Sequence, residues 1–425
     1  MRASRSATKR HDSTGRFMNA SSALVQIGNL SRRQQATEAE AREARARTWA
    51  RIRPSTAQIY VENRCNLKCN HCYESEDSHP PDSYALSVAD YARIFDELSE
   101  LGVLYLTFTG GEVFLRRDFL DIVELARKKR FAVTIFTSGT LIDERKAERL
   151  AALQVKTVEI SVYSHLPEVH DGFTNIPGSH ARSLRAMRLL SERGVKTVMK
   201  ANLMTFNVES IDELIDMATS AGADYSFDPT VKPRMDGDTA PLRFAVPPEQ
   251  LRRLVLNRPD LYTAFKKFAP GDLCSGDKSL LEEDSLLCGA ARGFISLSAD
   301  GGVYACGFFP SPGGHLRDRS LKDIWFGSEQ FARIRETTYE KMTACASCQV
   351  RSTCSPCMAY AEVEHQDHTQ CATSSRQLAE AVRLLAQRKV QTNAKLARGR
   401  ALPLVGDLQV PRPPGKDGAQ ALTTE

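Results

Sequence analysis

The chain of 425 residues is 42% hydrophobic and 26% charged, enough for a large core or for two or three domains. It has no apolar run near the roughly 18 to 20 residues that span a bilayer, and no apolar stretch with a small-residue cleavage site marks a secretory signal. Net charge is +5, but residues 1–53 carry twelve Lys/Arg against four Asp/Glu and the remainder sums to −3, which reads as a solvated basic tail rather than the rim of a nucleic-acid cleft.

The expected compartment is the cytoplasm, where thiols stay reduced and clustered cysteines point to metal. Residues 1–56 form a basic extension; within it 31–51, rich in Ala, Glu and Arg with opposite charges four apart, predicts a surface helix. From 57 to 230 strands and helices alternate. The predicted strands are AQIYVE (57–62), VLYLTFT (103–109), AVTIFTS (132–138), TVEISVY (157–163), VKTVMKANLM (195–204) and ADYSFDP (223–229). Helices fit at about 88–101, 117–129, 143–153, 179–193 and 208–221. Continuous β-branched runs between amphipathic helices predict an α/β fold, a partial (β/α)6 TIM-like barrel with its functional residues at the C-terminal strand ends. Pro229, Pro233, Pro241, Pro247 and Pro248 mark a linker over 231–269. Residues 270–372 hold eight of the eleven cysteines and little periodicity, the composition of a small domain held by metal rather than by a large core. A closing helix is predicted at 373–398 and a disordered tail at 399–425.

"CNLKCNHCY" places Cys65, Cys69 and Cys72 in the loop after the first strand. Thiolates in a tight loop suit a soft metal or an iron–sulfur cluster. A closed structural zinc site wants four ligands, and His71, adjacent to Cys72, is poorly placed to aim at the same ion. A [4Fe–4S] cluster with three protein ligands leaves one iron open to an outside ligand. This CxxxCxxC loop resembles the cluster loop of the radical S-adenosylmethionine (SAM) superfamily. The resemblance implies that the open iron binds SAM, and that one electron from the cluster releases a 5′-deoxyadenosyl radical, which takes a hydrogen atom from the substrate. "FTGGE", with Gly110, Gly111 and Glu112, closes the second strand where the superfamily has its GGE motif. Glycines there would let the backbone approach the methionine part of SAM, and the carboxylate would accept from its ammonium. By the same resemblance Ser138, in "FTSGT", stands where an Asn is common, Ser161 ends the fourth strand in reach of a ribose hydroxyl, and Arg182, opening the next helix, matches a position that contacts SAM in peptide-modifying members. Lys200 and Asn202 alternate on the fifth strand and face either the barrel interior or an exposed edge.

The later cysteines run Cys288, Cys306, Cys345, Cys348, Cys354, Cys357 and Cys371, with Cys274 before them. Alone, Cys345–Cys357 would read as a zinc ribbon. With the upstream and downstream cysteines the series resembles a SPASM domain, although "CSPC" is one residue shorter than that family's usual spacing. The resemblance implies two auxiliary iron–sulfur clusters, expected to be [4Fe–4S]. Cys345, Cys348, Cys354 and Cys371 would hold the outer one, and Cys288, Cys306 and Cys357 the inner, with Cys274 as candidate fourth ligand.

SPASM-bearing relatives imply a maturase of a ribosomally made peptide or protein, installing a cross-link or other oxidative change. Gly307 stands after Cys306 where sulfatase-maturing relatives carry an Asp, which disfavours formylglycine formation. About 56 residues precede the barrel without the strand pattern of a leader-binding domain, so a separate recognition protein or direct docking of the precursor is expected. The electron donor would be of flavodoxin or ferredoxin type. Oxidation or rearrangement of a small metabolite or carbohydrate is the second reading; an iron–sulfur scaffold or redox sensor is the third. Asp228, Tyr163 and Glu159 lie near strand ends, but no motif singles out a catalytic acid or base.

Overall fold

The structure, a computed structural model, describes residues 52–74, 86–258, 288–351, 354–381 and 383. Six parallel strands form in chain order: β1 (Thr56–Glu62), β2 (Tyr105–Gly110), β3 (Ala132–Thr137), β4 (Thr157–Ser161), β5 (Thr197–Asn202) and β6 (Asp224–Asp228). Each pairs with the next, and the sheet order β6-β5-β4-β3-β2-β1 continues into β7 (Phe294–Leu297), β8 (Gly302–Tyr304) and β9 (Gly314–His315). Among the described residues nothing joins β6 to β9, and the sheet they form is an open barrel. The partial barrel expected from the strand–helix alternation is thus the fold.

Helices cover the outer face because each presents an apolar stripe to the strands. Val88–Glu100 buries Tyr91, Ile94, Phe95 and Leu98, and starts at a capping box in which Ser87 and Asp90 satisfy each other's backbone N–H. Phe119–Lys128 buries Phe119, Ile122, Val123 and Ala126, and Asp143 caps Glu144–Ala152. Phe95, Phe108, Phe119 and Phe131 meet at centroid distances of 5.7 to 6.2 Å in edge-on or tilted contacts.

Several sequence expectations need correction. The fifth strand ends at Asn202 rather than at 204, because the chain turns where Thr205 N–H donates to Phe244 O at 3.0 Å. The 231–269 linker contains a ten-residue helix, Pro248–Asn257, in which proline at the first position starts the helix, its missing N–H being one no helix uses there. Helix Pro167–Thr174 was not expected at all.

The largest correction concerns the cysteine-rich region, read as held by metal rather than by a core. β7 pairs with β1 in parallel register, Thr56 with Phe294 to Ile59 with Leu297, and so adds a seventh parallel strand to the barrel sheet. Helices Leu321–Gly327 and Glu329–Glu336 bury Ile324, Trp325, Phe331 and Ile334 in the same apolar cluster as Phe95 and Phe108. Trp325 Nε1–H donates to Ile52 O at 3.1 Å, and Leu321 N–H to Glu97 Oε2 at 2.6 Å. The reason is packing: short helices with one apolar flank cover the end of the sheet that the barrel helices leave open. Residues 373–381 are helical. The rest of the closing helix, the helix at 31–51, Cys274 and the tail at 399–425 lie outside the described residues.

Candidate active site

The loop after β1 is held from three sides. Lys68 N–H donates to Thr174 O at 2.9 Å and Asn70 N–H to Phe173 O at 3.1 Å, so the C-terminal end of helix Pro167–Thr174 clamps it. Asn175, in the left-handed region at φ 56°, donates from Nδ2 to Lys68 O at 2.6 Å and to Asn70 Oδ1 at 2.9 Å. Asn66 Nδ2 reaches Thr140 Oγ1 at 2.9 Å beyond the end of β3.

The glycines of the second strand serve this loop directly. A Cβ on Gly110 would lie 2.0 Å from Glu62 O, and one on Gly111 2.3 Å from Arg64 O. Gly110 also has φ +147°, on the side that favours glycine. Gly111 N–H donates to Glu62 O at 2.8 Å and Glu112 N–H to Arg64 O at 2.9 Å. The close approach these glycines permit is therefore to the chain leading into Cys65.

Glu112 also differs from expectation. It is 1% exposed, and its carboxylate accepts from Thr137 Oγ1 (2.6 Å), Ser138 N (2.8 Å), Ser138 Oγ (2.6 Å) and Phe114 N (3.2 Å). Four protein donors occupy it, and it braces the end of β2 against the end of β3 instead of facing the interior. Arg182 lies exposed at the start of helix Ser179–Glu192, away from the chamber lining. Its neighbour Ser183 is the residue that turns inward, donating to Ser138 O at 2.7 Å.

The C-terminal ends of the strands enclose a chamber of about 230 Å³. Cys65, Cys69 and Cys72 line it with Gly110, Gly111, Ser138 and Ser161; Lys200, Asn202, Glu159, Tyr163 and Asp228 face it as well. Lys200 Nζ lies 3.2 Å from Glu159 Oε2 and 3.9 Å from the centre of the Phe136 ring. His71 packs edge-on to Tyr163 at 4.7 Å, and burial depresses its imidazole to about 4, so it is a neutral wall.

The three thiols suit a cationic group. Burial pushes Cys65 up to about 11 and Cys69 higher still, with Cys72 and Cys65 adding mutual repulsion at Cys69. A metal centre removes that penalty by coordinating the thiolates. Among the described residues no three His, Cys, Asp or Glu side chains converge tightly enough for one ion. A cluster, in which each thiolate meets its own iron, asks for wider spacing.

Two further groups form. Cys306 is raised to about 12 by burial and then by Cys357 and Cys288, and Cys357 to about 11 by burial with Cys288 as charged neighbour. Cys354 is raised to about 12 by burial and by Cys345, Cys371 and Cys348. The structure thus brings Cys288, Cys306 and Cys357 together, and separately Cys345, Cys348, Cys354 and Cys371; none of the ten described cysteines is in a disulfide.

Between the chamber and the first of these groups stands a layer that no sequence motif marks. Tyr73 follows Cys72 and meets Phe308 at 5.2 Å, which meets Tyr360 at 5.3 Å. Lys232 Nζ lies over Phe308 at 4.7 Å and pairs with Asp228 Oδ2 at 3.2 Å. Burial raises the Asp228 carboxyl, but the Lys232 charge and the Thr230 donors bring it below the usual range, so it is ionised. Lys232 sits in "TVKPR", where the prolines suggested only a linker.

The superfamily profile for radical SAM proteins matches residues 59–221, which carry the barrel and its three-cysteine loop. A profile for the SPASM iron–sulfur cluster-binding domain matches 288–349. The mycofactocin maturase MftC of Mycolicibacterium smegmatis is 31% identical over 67% of this chain and 72% of its own. The chain belongs to the radical SAM superfamily. This radical SAM protein is also similar to the PqqA peptide cyclase of Granulibacter bethesdensis (28% identical, over 68% of this chain and 78% of the relative). The AdoMet-dependent heme synthase of Methanosarcina barkeri is 24% identical over 72% of this chain and 91% of its own. The crystal structure of Streptococcus suis SuiB bound to precursor peptide SuiA shares the fold, with TM-score 0.61 and 20% identity over 80% of each chain. The protein is a radical SAM enzyme that uses a [4Fe–4S] cluster with SAM and, in its SPASM domain, auxiliary iron–sulfur clusters. No helix among the described residues is long and apolar enough to cross a membrane.

Proposed function

We propose that the enzyme matures a ribosomally made peptide or protein in the cytoplasm, installing a cross-link or another oxidative change. When bound, the cluster and SAM supply a 5′-deoxyadenosyl radical that removes a hydrogen atom from the substrate. In this reading Cys65, Cys69 and Cys72 hold the cluster. Gly110, Gly111, Ser138 and Ser161 border SAM, while Glu112 acts from behind by fixing Ser138. Arg182 would need to move to take part.

The observation that carries the oxidative outcome is the single layer between the chamber and the inner cysteines. Phe308 lines the chamber two residues from Cys306, and the Lys232 charge acts on Cys306, Cys357 and His71 alike. A substrate radical in the chamber must lose an electron to give an oxidised product, and an acceptor held by Cys288, Cys306 and Cys357 would be close by. Cys345, Cys348, Cys354 and Cys371 would hold the outer cluster. At Gly307 a Cβ would lie 2.8 Å from Tyr60 Oη and 2.9 Å from Gln58 Oε1, so the acidic side chain of formylglycine-forming relatives would have to displace those side chains.

The peptide substrate is supported by likeness to the PqqA peptide cyclase. Likeness to heme synthases favours a small-molecule substrate as second reading. A flavodoxin or ferredoxin is the proposed electron donor, and a separate protein the proposed reader of the leader segment. Reconstituted enzyme, SAM, dithionite and the peptide encoded beside it should give deoxyadenosine and a product lighter by about two hydrogens per modification. Unchanged mass for every neighbouring precursor, with deoxyadenosine still formed, would favour the small-molecule reading.

A further inference from the structure

A second cavity, of about 250 Å³, opens beside the chamber between β1, the β7–β8 turn and the turn after Cys306. No cysteine among its described lining residues marks it as a cluster seat. It is separated from the chamber by one tyrosine pair. Tyr60 lines the second cavity and Tyr73 the first, their hydroxyls are 3.0 Å apart, and Tyr60 Oη donates to Gly307 O at 3.2 Å.

The lining is acidic without a matching base. Glu74 and Asp300 both face the void, and no Lys, Arg or His is among the described residues around it. Asp300 accepts from Ser298 Oγ and stands 3.9 Å from His315 Nε2, while Glu74 has neither hydrogen bond nor ion pair among the described residues. One more polar group has no partner: Ser296, 1% exposed, has a buried Oγ without a hydrogen bond. The acceptor oxygens of Glu74 and Asp300 on one half-enclosed void suit a cationic group. Met235, Phe309 and Pro310 supply apolar wall on the same cavity. A hard metal ion would gain nothing from that wall and would want more oxygen ligands. An aliphatic stem ending in a cation uses both halves of the lining.

We propose that this cavity receives the side chain of a lysine or arginine in the substrate peptide, holding it while a nearby residue reaches the chamber across the Tyr60–Tyr73 wall. The inference rests on the peptide reading above and deepens it: it makes a basic residue close to the modified position a specificity determinant.

The test uses full-length, anaerobically reconstituted enzyme and three probes, Nα-acetyl-lysine amide, Nα-acetyl-arginine amide and Nα-acetyl-norleucine amide, titrated by saturation-transfer NMR. The cationic probes should bind at least about tenfold more tightly than norleucine, the value of one charge-assisted contact. Asp300→Asn should remove most of that preference with iron content unchanged. Glu74→Gln should do the same, and is read only where its iron content equals the wild type, since Glu74 is close to Cys72. Equal binding of all three probes, or a preference that survives Asp300→Asn with iron intact, would overturn the proposal. Because binding of single residues is read, failure here is distinct from failure of the peptide reading, which mass spectrometry of precursors decides.

Discussion

His170 stands wholly buried behind the chamber, with Nδ1 accepting from Tyr163 N–H at 3.2 Å and Nε2 without a partner. Burial, then the nearby His180, depresses its imidazole to about 4. The unfolded chain, with an ordinary histidine near 6.5, takes up the proton first as pH falls. Stability is therefore lost between about pH 6.5 and pH 4 and levels below that, by about 1 to 2 kcal/mol down to pH 5. Urea melts at pH 7.5 and pH 5 should show this loss in the wild type and a smaller one in His170→Gln; equal losses would show that His170 is not the group responsible. At the same scale the GGE motif shows what sequence can and cannot give. Its residues were legible because three small or acidic positions at a strand end are conspicuous. Their contacts were not: the clash at 2.0 Å with Glu62 O and the four donors on Glu112 arise from chain segments that meet only after folding.

At the scale of elements, the six barrel strands were readable because each is a short stretch rich in β-branched or aromatic residues between turns, with buried positions along it. Helix Pro167–Thr174 was hidden, since "PEVHDGFT" carries a glycine and two acids in eight residues and its stability comes from contacts with the cysteine loop. That contact predicts a role for Asn175. Asn175→Gly keeps the left-handed backbone and removes the side-chain bonds to Lys68 and Asn70, worth about 1 kcal/mol each. The loop should loosen. Visible absorbance should bleach faster in air, and deoxyadenosine formation should slow by about two- to tenfold, as expected when geometry at the reacting centre slips. Wild-type bleaching and wild-type rate in the variant would mean that the helix does not hold the loop.

At the scale of the whole molecule, the barrel and the cysteine-rich region are one body. Sequence divided them because the later segment lacks a long periodic run; packing unites them through β7 on β1 and through Trp325, Phe331 and Ile324 in the common core. Burial of each of these side chains is worth about 1.5 to 3 kcal/mol, against a net stability of roughly 5 to 15 kcal/mol for a folded domain. A chain ending at Arg258 should therefore be insoluble or melt without cooperativity by circular dichroism. A soluble fragment with a sharp transition would show that the barrel stands alone. The grouping of the later cysteines could be anticipated from the resemblance to the SPASM pattern, whereas Lys232, Phe308 and the Tyr60–Tyr73 pair could not, because they converge from separate elements.

The account as a whole turns on the three thiols that line the chamber after β1. Deoxyadenosine formed from SAM and dithionite by the reconstituted Cys69→Ala enzyme, compared with wild type at matched protein concentration, tests them most directly. The structure predicts a fall to the background of the reductant alone, with the iron of the other seven described cysteines retained. Cleavage of SAM by the variant at the wild-type rate would contradict it.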